Sequence, residues 1–428
     1  DGEEDDGEES DGEESDDDDD GDDGAAEIAS LREHLATTPG DYDSHLRLIA
    51  LLKAAAELDG VRAARESLAA TFPLPEDVWL AWVDDEERLA DSADELRAVQ
   101  RLCLRGCEDY LSVPLWLRAT QLAARAVGVE LDAAGGGDDD APAAAEAAAA
   151  AVREAFEQAL TAGGLHVAEG GALWDGLEAF ERRQLRGAPP APAPARARAA
   201  ERVRSVCRRR LAVPLLDTEE AWRRYAAWEE AEAAADGGGG DGAAAQQQQQ
   251  QRDAEQKRDG ALRELQKRRP LEVKLAAAVR AGARTDPWAR DDGGASPLWD
   301  QYVALEETAD PWRARCVHER LLAPPRAADG GGGTEPLLCA QPANWLRYLR
   351  FLRDGLKAPP LVAAASARAV RNCAGSAALW LARGTRMRRR PWTRPSRQRG
   401  RTMARSSLCS WAARCCCCTT CCQRVRWR

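Results

Sequence analysis

The segment PLWDQYVALE, residues 297–306, contains the pattern that decides the fold. A tryptophan is followed by a tyrosine three positions later and by a glutamate seven positions later, and a proline stands just before the tryptophan. Positions i, i+3 and i+7 lie on one stripe of an α-helix. A proline suits the first helical turn, where its missing N–H would have no partner. The segment therefore predicts a helix with Trp299, Tyr302 and Glu306 on one face.

Segments of this kind recur along the chain, and the shortest intervals between their tryptophans are 35 and 37 residues. The longer intervals contain Gly-, Ala- or Gln-rich stretches. A period near 35 residues is typical of stacked helix pairs, in which each repeat contacts only its neighbours. The sequence therefore predicts an all-α fold, a right-handed α-solenoid of TPR-like helix pairs.

The copies differ in how completely they keep the pattern. Trp345 retains an aromatic residue at i+3 but has Leu352 at i+7, and Trp116 is followed by alanines at both positions. We expect the repeated side chains to form the repeat core, because a large aromatic ring facing alanines buries a large apolar area. The predicted repeat-core residues are Trp79, Trp82, Glu86, Trp116, Trp174, Glu181, Trp222, Tyr225, Glu229, Trp299, Tyr302, Glu306, Trp345, Tyr348 and Trp380.

Each first helix is followed by a second segment of the form Arg-x-x-x-Glu-x-x-Leu. The clearest copies are REAFEQAL (153–160) and RCVHERLL (315–322), with weaker ones at 62–66 and 204–208. We expect the glutamate of the first helix to pair with the arginine of the second helix and to set the packing register. A catalytic role for these glutamates is disfavoured, because they occur once per repeat and are not gathered in a cleft.

Composition supports a helical chain. Aromatic residues make up only 5% of the sequence, and four Phe are too few for a large sandwich or barrel core.

The net charge of −13 is unevenly distributed along the chain: residues 1–24 hold 17 acidic side chains, and residues 384–428 hold 13 basic and no acidic ones. We therefore predict an acidic disordered tail (1–26), a repeat solenoid (27–383) and a basic Cys/Arg-rich tail that is not folded (384–428). Predicted low-complexity inserts lie at 132–150, 188–195, 236–251, 289–296 and 329–334.

The helix pairs resemble the half-a-TPR (HAT) repeat of RNA-processing proteins. The order of VRAARE (61–66), EDVWLAW (76–82), RRLAVPL (209–215) and AVRNC (369–373) looks closest to that of the HAT proteins that recycle spliceosomal ribonucleoproteins. The resemblance covers residues 41–382, apart from the inserts. It implies a nuclear scaffold that docks proteins of the splicing snRNP machinery in U4/U6 assembly or recycling.

In that family, RNA-recognition motifs beyond the array contact RNA, and later repeats form a homodimer. Neither is recognisable in this sequence. We therefore expect mainly indirect contact with RNA, and a homodimer only if later repeats exist. Two alternatives stay open: a HAT scaffold in mRNA 3′-end cleavage or ribosomal RNA processing, and direct RNA binding through the basic stretches 202–210 and 263–269.

The sequence offers little support for an enzyme, a cofactor or a membrane segment. The four histidines (His34, His45, His166 and His318) lie in different units, and the Gly runs lack the Lys-Ser/Thr of a phosphate loop. No apolar run reaches membrane-spanning length. In the basic tail, Cys418-x-x-Cys421 has half of a zinc spacing. We interpret that tail first as a mistranslated terminus. A nucleic-acid-binding tail is the second interpretation, and a metal site is the least favoured.

Overall fold

The computed structural model describes residues 20–134, 141–187, 193–235, 241–280, 297–324 and 338–384. Within these ranges the chain forms sixteen α-helices and no strand, so the predicted all-α solenoid is confirmed. The helices are α1 (Asp20–Thr37), α2 (Tyr42–Ala54), α3 (Leu58–Thr71), α4 (Glu76–Glu87), α5 (Ala93–Asp109), α6 (Val113–Ala134), α7 (Ala141–Gly163), α8 (Gly171–Gly187), α9 (Ala193–Leu211), α10 (Thr218–Ala235), α11 (Asp241–Arg280), α12 (Pro297–Ala309), α13 (Pro311–Leu322), α14 (Pro342–Arg350), α15 (Pro359–Asn372) and α16 (Ala377–Gly384).

The helices after α1 follow one another as pairs. We number the pairs as repeats 1 to 7, from α2–α3 to α14–α15, and α16 follows repeat 7. In repeats 2 to 7 the first helix carries the recurring tryptophan in or near its first turn. In repeat 7 the first helix continues as a π-helical turn, Phe351–Gly355, which carries Leu352. The most extensive helix contacts join neighbours in the chain, as expected for a solenoid.

The apolar core is a series of clusters rather than one centre. The first cluster runs from Ile28 to Ala126 and the second from Val113 to Leu215. The third runs from Leu185 to Ala254 and the fourth from Leu275 to Leu379. Most successive clusters overlap along the sequence, and α11 contributes to both the third and the fourth. Each repeat is therefore stabilised mainly by burial against the repeats beside it.

Several predicted boundaries need correction, because helix continues into segments predicted to be tail or insert. Residues 20–26 belong to α1, residues 141–150 to α7 and residues 241–251 to α11. Alanine, glutamate and glutamine have high helix propensity, so Ala-rich and Gln-rich sequence extends a helix that is already nucleated by packing. Low sequence complexity was therefore a poor guide to loops in this chain.

Other predictions lie outside the described residues. These are the acidic stretch 1–19, residues 135–140, 188–192 and 236–240 of three predicted inserts, the inserts at 289–296 and 329–334, and residues 385–428 with Cys418 and Cys421. The structure describes residues 193–195 of the predicted 188–195 insert as the start of α9.

Two glycines at comparable helical positions should respond oppositely to substitution by alanine. A Cβ at Gly106 would lie 2.9 Å from Cγ of Trp79 and 3.0 Å from Cδ1 of Leu115, whereas a Cβ at Gly128 meets nothing within 4 Å. Gly128→Ala should raise the thermal midpoint, because alanine is favoured over glycine in a helix by roughly 1 kcal/mol. Gly106→Ala should lower it, because overpacking a core typically costs about 1–3 kcal/mol. Differential scanning calorimetry measures both, and a higher midpoint for Gly106→Ala would contradict the close packing of α5 on Trp79.

Candidate functional site

The structure places most of the predicted repeat-core side chains inside the array. The buried ones are Trp79, Trp82, Trp174, Glu181, Tyr225, Glu229, Trp299, Tyr302, Glu306, Trp345 and Tyr348. Trp116, Trp222 and Glu86 are half-buried. Trp380 differs, because its side chain is 43% exposed. It lies on α16, and within the described part of the chain no helix follows to cover it.

In the four first helices that have both the tryptophan and the glutamate of the pattern, the glutamate pairs with an arginine. This arginine lies in the second helix of the preceding repeat. The sequence pattern suggested the second helix that follows, so this expectation is corrected. The four pairs are Arg62–Glu86 (2.8 Å), Arg153–Glu181 (2.6 Å), Arg204–Glu229 (3.0 Å) and Arg268–Glu306 (2.5 Å). Each pair therefore joins two consecutive repeats.

The most enclosed of these pairs is between α11 and α12. The side chains of Arg268 and Glu306 are both fully buried, and two guanidinium nitrogens of Arg268 donate to the two carboxylate oxygens of Glu306. Arg313 of α13 donates a further hydrogen bond to Glu306 at 3.2 Å. Removal of a single partner would leave a buried charge without its compensation, which is strongly destabilising.

Arg268 was not among the repeat residues predicted from the sequence. Yet Arg268-x-x-x-Glu272-x-x-Leu275 fits the second-helix pattern, and Arg268, Glu272 and Leu275 are all buried. The pattern was hidden because Pro270 interrupts it and because it lies in the 40-residue helix α11. A search for the spacing alone, without regard to the proline, would have found it.

A second set of contacts links the second helices of consecutive repeats. The glutamate four residues after the first arginine of the second-helix pattern (Arg62, Arg153, Arg268 or Arg315) accepts hydrogen bonds from an arginine in the second helix of the next repeat. That arginine also lies over the tryptophan of its own repeat, with its guanidinium carbon 5.2 to 5.7 Å from the ring centroid. The four sets are Glu66–Arg105 over Trp79, Glu157–Arg209 over Trp174, Glu272–Arg320 over Trp299 and Glu319–Arg368 over Trp345.

Two tyrosines at the i+3 position complete these sets. The hydroxyl of Tyr302 donates to Glu272 at 2.6 Å, and that of Tyr348 donates to Glu319. Burial alone would raise the pKa of Glu272, but the hydrogen bond and the charge of Arg320 outweigh it and lower that pKa. Burial likewise opposes ionisation of Glu319, but Arg368 lowers its pKa to about 2. Glu272 and Glu319 are therefore ionised at neutral pH.

At two positions another residue replaces the glutamate of the pattern, and the arginine concerned has a different partner. Repeat 7 has Leu352 where a glutamate would stand, and the corresponding arginine, Arg315, instead donates to the backbone carbonyl of Thr161. Arg208 occupies a glutamate position in α9 and pairs with Glu201 of its own helix. Where the glutamate is missing, the corresponding ion pair between the two repeats is therefore missing as well.

Each histidine makes a local contact. The contacts are His34 with Asp41, His45 with the carbonyl of Pro39, His166 with the amide of Glu169, and His318 with Glu307. Across the described ranges, no three His, Cys, Asp or Glu side chains are gathered as a metal ion would require. No described helix is long and apolar enough to cross a membrane.

Loss of the buried carboxylate between repeats 5 and 6 should be far more costly than loss of an exposed one. Glu306→Ala should destabilise the array by about 3–5 kcal/mol, because Arg268 stays buried without its main partner. Glu27→Ala is the matched control, since Glu27 forms an exposed pair with Arg47, and it should leave the thermal midpoint unchanged. Equal midpoints for the two variants would contradict a structural role for the buried pair.

Comparison with known proteins agrees with this architecture. The family model described as Suppressor of forked protein (Suf) matches residues 26–322. The chain is 29% identical over 355 residues to the mouse (Mus musculus) protein named spliceosome associated factor 3, U4/U6 recycling protein, and the alignment covers 83% of this chain and 30% of that protein. The human (Homo sapiens) protein of that name matches with the same identity and coverage. The zebrafish (Danio rerio) protein is 30% identical over 364 residues, which cover 83% of this chain and 32% of that protein.

This chain spans about a third of the length of these relatives. The matches confirm the predicted resemblance to HAT-repeat proteins of spliceosome recycling. Since the family model covers more than half of the sequence, the chain belongs to the Suppressor of forked protein (Suf) family.

Proposed function

We propose that this chain is a non-enzymatic scaffold that docks proteins of the splicing machinery in the nucleus, in the assembly or recycling of the U4/U6 snRNP. The observation that carries this proposal is the similarity, over 83% of the chain, to proteins named for U4/U6 recycling. The docking part is the repeat solenoid, residues 27–383, and the repeat-core residues hold its helices in register.

The structure supports a docking role through the placement of its charges. Among the described residues, carboxylates and arginines of the repeats pair between helices, as in Arg153–Glu181 and Glu319–Arg368. A solenoid of this kind presents a long surface along its repeats, and such surfaces bind extended segments or whole domains of other proteins. Binding rather than catalysis is the activity that this arrangement favours.

A scaffold in mRNA 3′-end cleavage or ribosomal RNA processing is the second candidate. The repeat architecture is equally compatible with it, so the RNA that co-purifies with the chain separates the two. U4 and U6 RNA support the splicing role, whereas cleavage-site mRNA fragments or ribosomal precursors support the alternative.

Direct RNA binding through the basic stretch 202–210 is less favoured, because its arginines already contact carboxylates. The pairs are Arg202–Glu181, Arg204–Glu229, Arg208–Glu201, Arg209–Glu157 and Arg210–Asp175. In the second stretch, Lys267 and Arg268 pair with Glu264. Phosphate contacts would have to compete with these pairs, and binding would weaken steeply with salt.

Affinity capture from nuclear extract tests the proposal. The full chain should recover splicing proteins together with U4 and U6 RNA, and recovery of the proteins should survive ribonuclease treatment if they dock directly. Glu306→Ala, which should destabilise the contact between repeats 5 and 6, should lose partners that contact this part of the array. Glu27→Ala should recover as much as the unaltered chain.

Two outcomes would contradict the proposal. Recovery of no splicing component by the unaltered chain would exclude the scaffold role in splicing. Loss of all partners after ribonuclease treatment, together with RNA binding that falls steeply with salt, would favour direct RNA binding instead.

A further inference from the structure

The end of α15 contacts residues that lie about 260 to 300 positions earlier in the chain. Arg371 donates to the carboxylate of Asp109 at 2.7 Å and to the backbone carbonyls of Ala69 and Phe72 at 2.8 and 2.6 Å. The neighbouring Arg368 donates to the backbone carbonyl of Asp109 at 3.3 Å. Repeat 7 is therefore joined directly to repeats 1 and 2.

Asp109 is also held by contacts that do not involve Arg371. Its side chain is only 3% exposed. One carboxylate oxygen accepts hydrogen bonds from the indole N–H of Trp79 at 3.0 Å and from the amide of Leu74 at 2.8 Å. The other oxygen accepts from Arg371. Repeat 2 thus fixes the carboxylate in an orientation that suits an incoming guanidinium group.

The two carbonyls contacted by Arg371 lie at the carboxyl-terminal end of α3. The last carbonyls of a helix have no intrahelical partner, and this end carries the negative part of the helix dipole. Together with Asp109 they form an acceptor set for a planar, multi-donor cation, which arginine matches better than lysine.

A neutral hydrogen bond lies beside this ion pair. Tyr110, which directly follows α5 and is buried, donates from its hydroxyl to the side-chain carbonyl of Asn372 at 2.6 Å. Asn372 donates from its own amide to the carbonyl of Arg368, which fixes its orientation. The contact therefore involves Arg368, Arg371 and Asn372 at the end of α15.

The segments that meet here carry opposite charge. Residues 76–109 of repeat 2 hold eleven acidic and four basic side chains, whereas residues 342–384 hold seven basic and one acidic. Opposite fields attract over distances comparable to the Debye length, and salt weakens the attraction.

The contacts described here are polar. Among the residues that the structure describes, the apolar cluster that includes repeats 1 and 2 is separate from the cluster that includes repeat 7. Hydrogen bonds and the Arg371–Asp109 ion pair join the two parts, and the Arg371 side chain is 36% exposed. Such a contact can separate without opening either apolar core.

We propose that α15 is a reversible electrostatic clasp that holds repeat 7 against repeats 1 and 2. In the closed state it covers the end of α3 and the connection from α3 to α4. Release of Arg371 and Asn372, together with the hydrogen bond from Arg368 to the carbonyl of Asp109, exposes this surface while the helix pairs remain folded. The clasp does not depend on which partner the array docks.

Arg371→Glu in the full chain tests the clasp, with Arg353→Glu as the matched control. Arg353 lies in the same repeat, its side chain is 67% exposed, and its ion pair is with the adjacent Asp354. Small-angle X-ray scattering should show a larger radius of gyration for Arg371→Glu than for the control. Hydrogen exchange should be roughly tenfold faster at residues 69–76 and 106–112, because local opening governs exchange there. Circular dichroism should stay unchanged in both variants.

Salt provides an independent check. Between about 0.1 M and about 1 M salt the Debye length falls from about 10 Å to about 3 Å. The unaltered chain should expand over this range, and Arg371→Glu should change little further. If Arg371→Glu loses helicity, the double variant Tyr110→Phe with Asn372→Ala takes its place in the comparison. Equal radii and equal exchange rates for the clasp variant and Arg353→Glu would overturn the proposal.

Discussion

The array depends on one recurring interaction, in which a second-helix arginine contacts two repeats at once. Arg320 illustrates it: the guanidinium lies over the ring of Trp299 in its own repeat and donates to both oxygens of Glu272 in the preceding one. A guanidinium group can do both, because its flat face stacks on an aromatic ring while its edge donates in a fixed fork. The interaction therefore ties the packing inside a repeat to the packing between repeats.

The apolar clusters and the ion pairs have different roles in this fold. Burial of the tryptophans and of the leucine and alanine stripes supplies most of the stabilisation, since a buried ion pair has to recover the desolvation cost of both charges. The ion pairs determine which helix faces of consecutive repeats pack against each other. A one-position slip between α11 and α12 would separate Arg268 from Glu306 and leave Arg268 with Glu264 and Glu306 with Arg313 as their remaining partners. Loss of this doubly hydrogen-bonded pair in a buried position is costly.

Much of this arrangement could be predicted from the sequence, because it follows from helical periodicity. The spacing of Trp299, Tyr302 and Glu306 defines one helical face, and its recurrence predicts the stacked pairs. The partner of Glu306 could not be assigned correctly, since a repeated pattern does not say whether an arginine of the preceding or of the following repeat is closer. Residues 141–150 and 241–251 are helical because of their high helix propensity, although their low complexity had suggested loops. The contact of Arg371 with Asp109 lies beyond any local pattern, because it depends on the path of the whole array between them.

A double-mutant cycle on Glu272 and Arg320 tests the central claim most directly. Glu272→Gln, Arg320→Met and the combined variant would be compared through native-state hydrogen exchange of the amides in α12 and α13, which reports local opening in a repeat array. If Arg320 links two repeats through this pair, the coupling free energy should exceed about 1 kcal/mol, as for directly contacting residues. Additive effects, with a coupling below about 0.5 kcal/mol, would contradict the account.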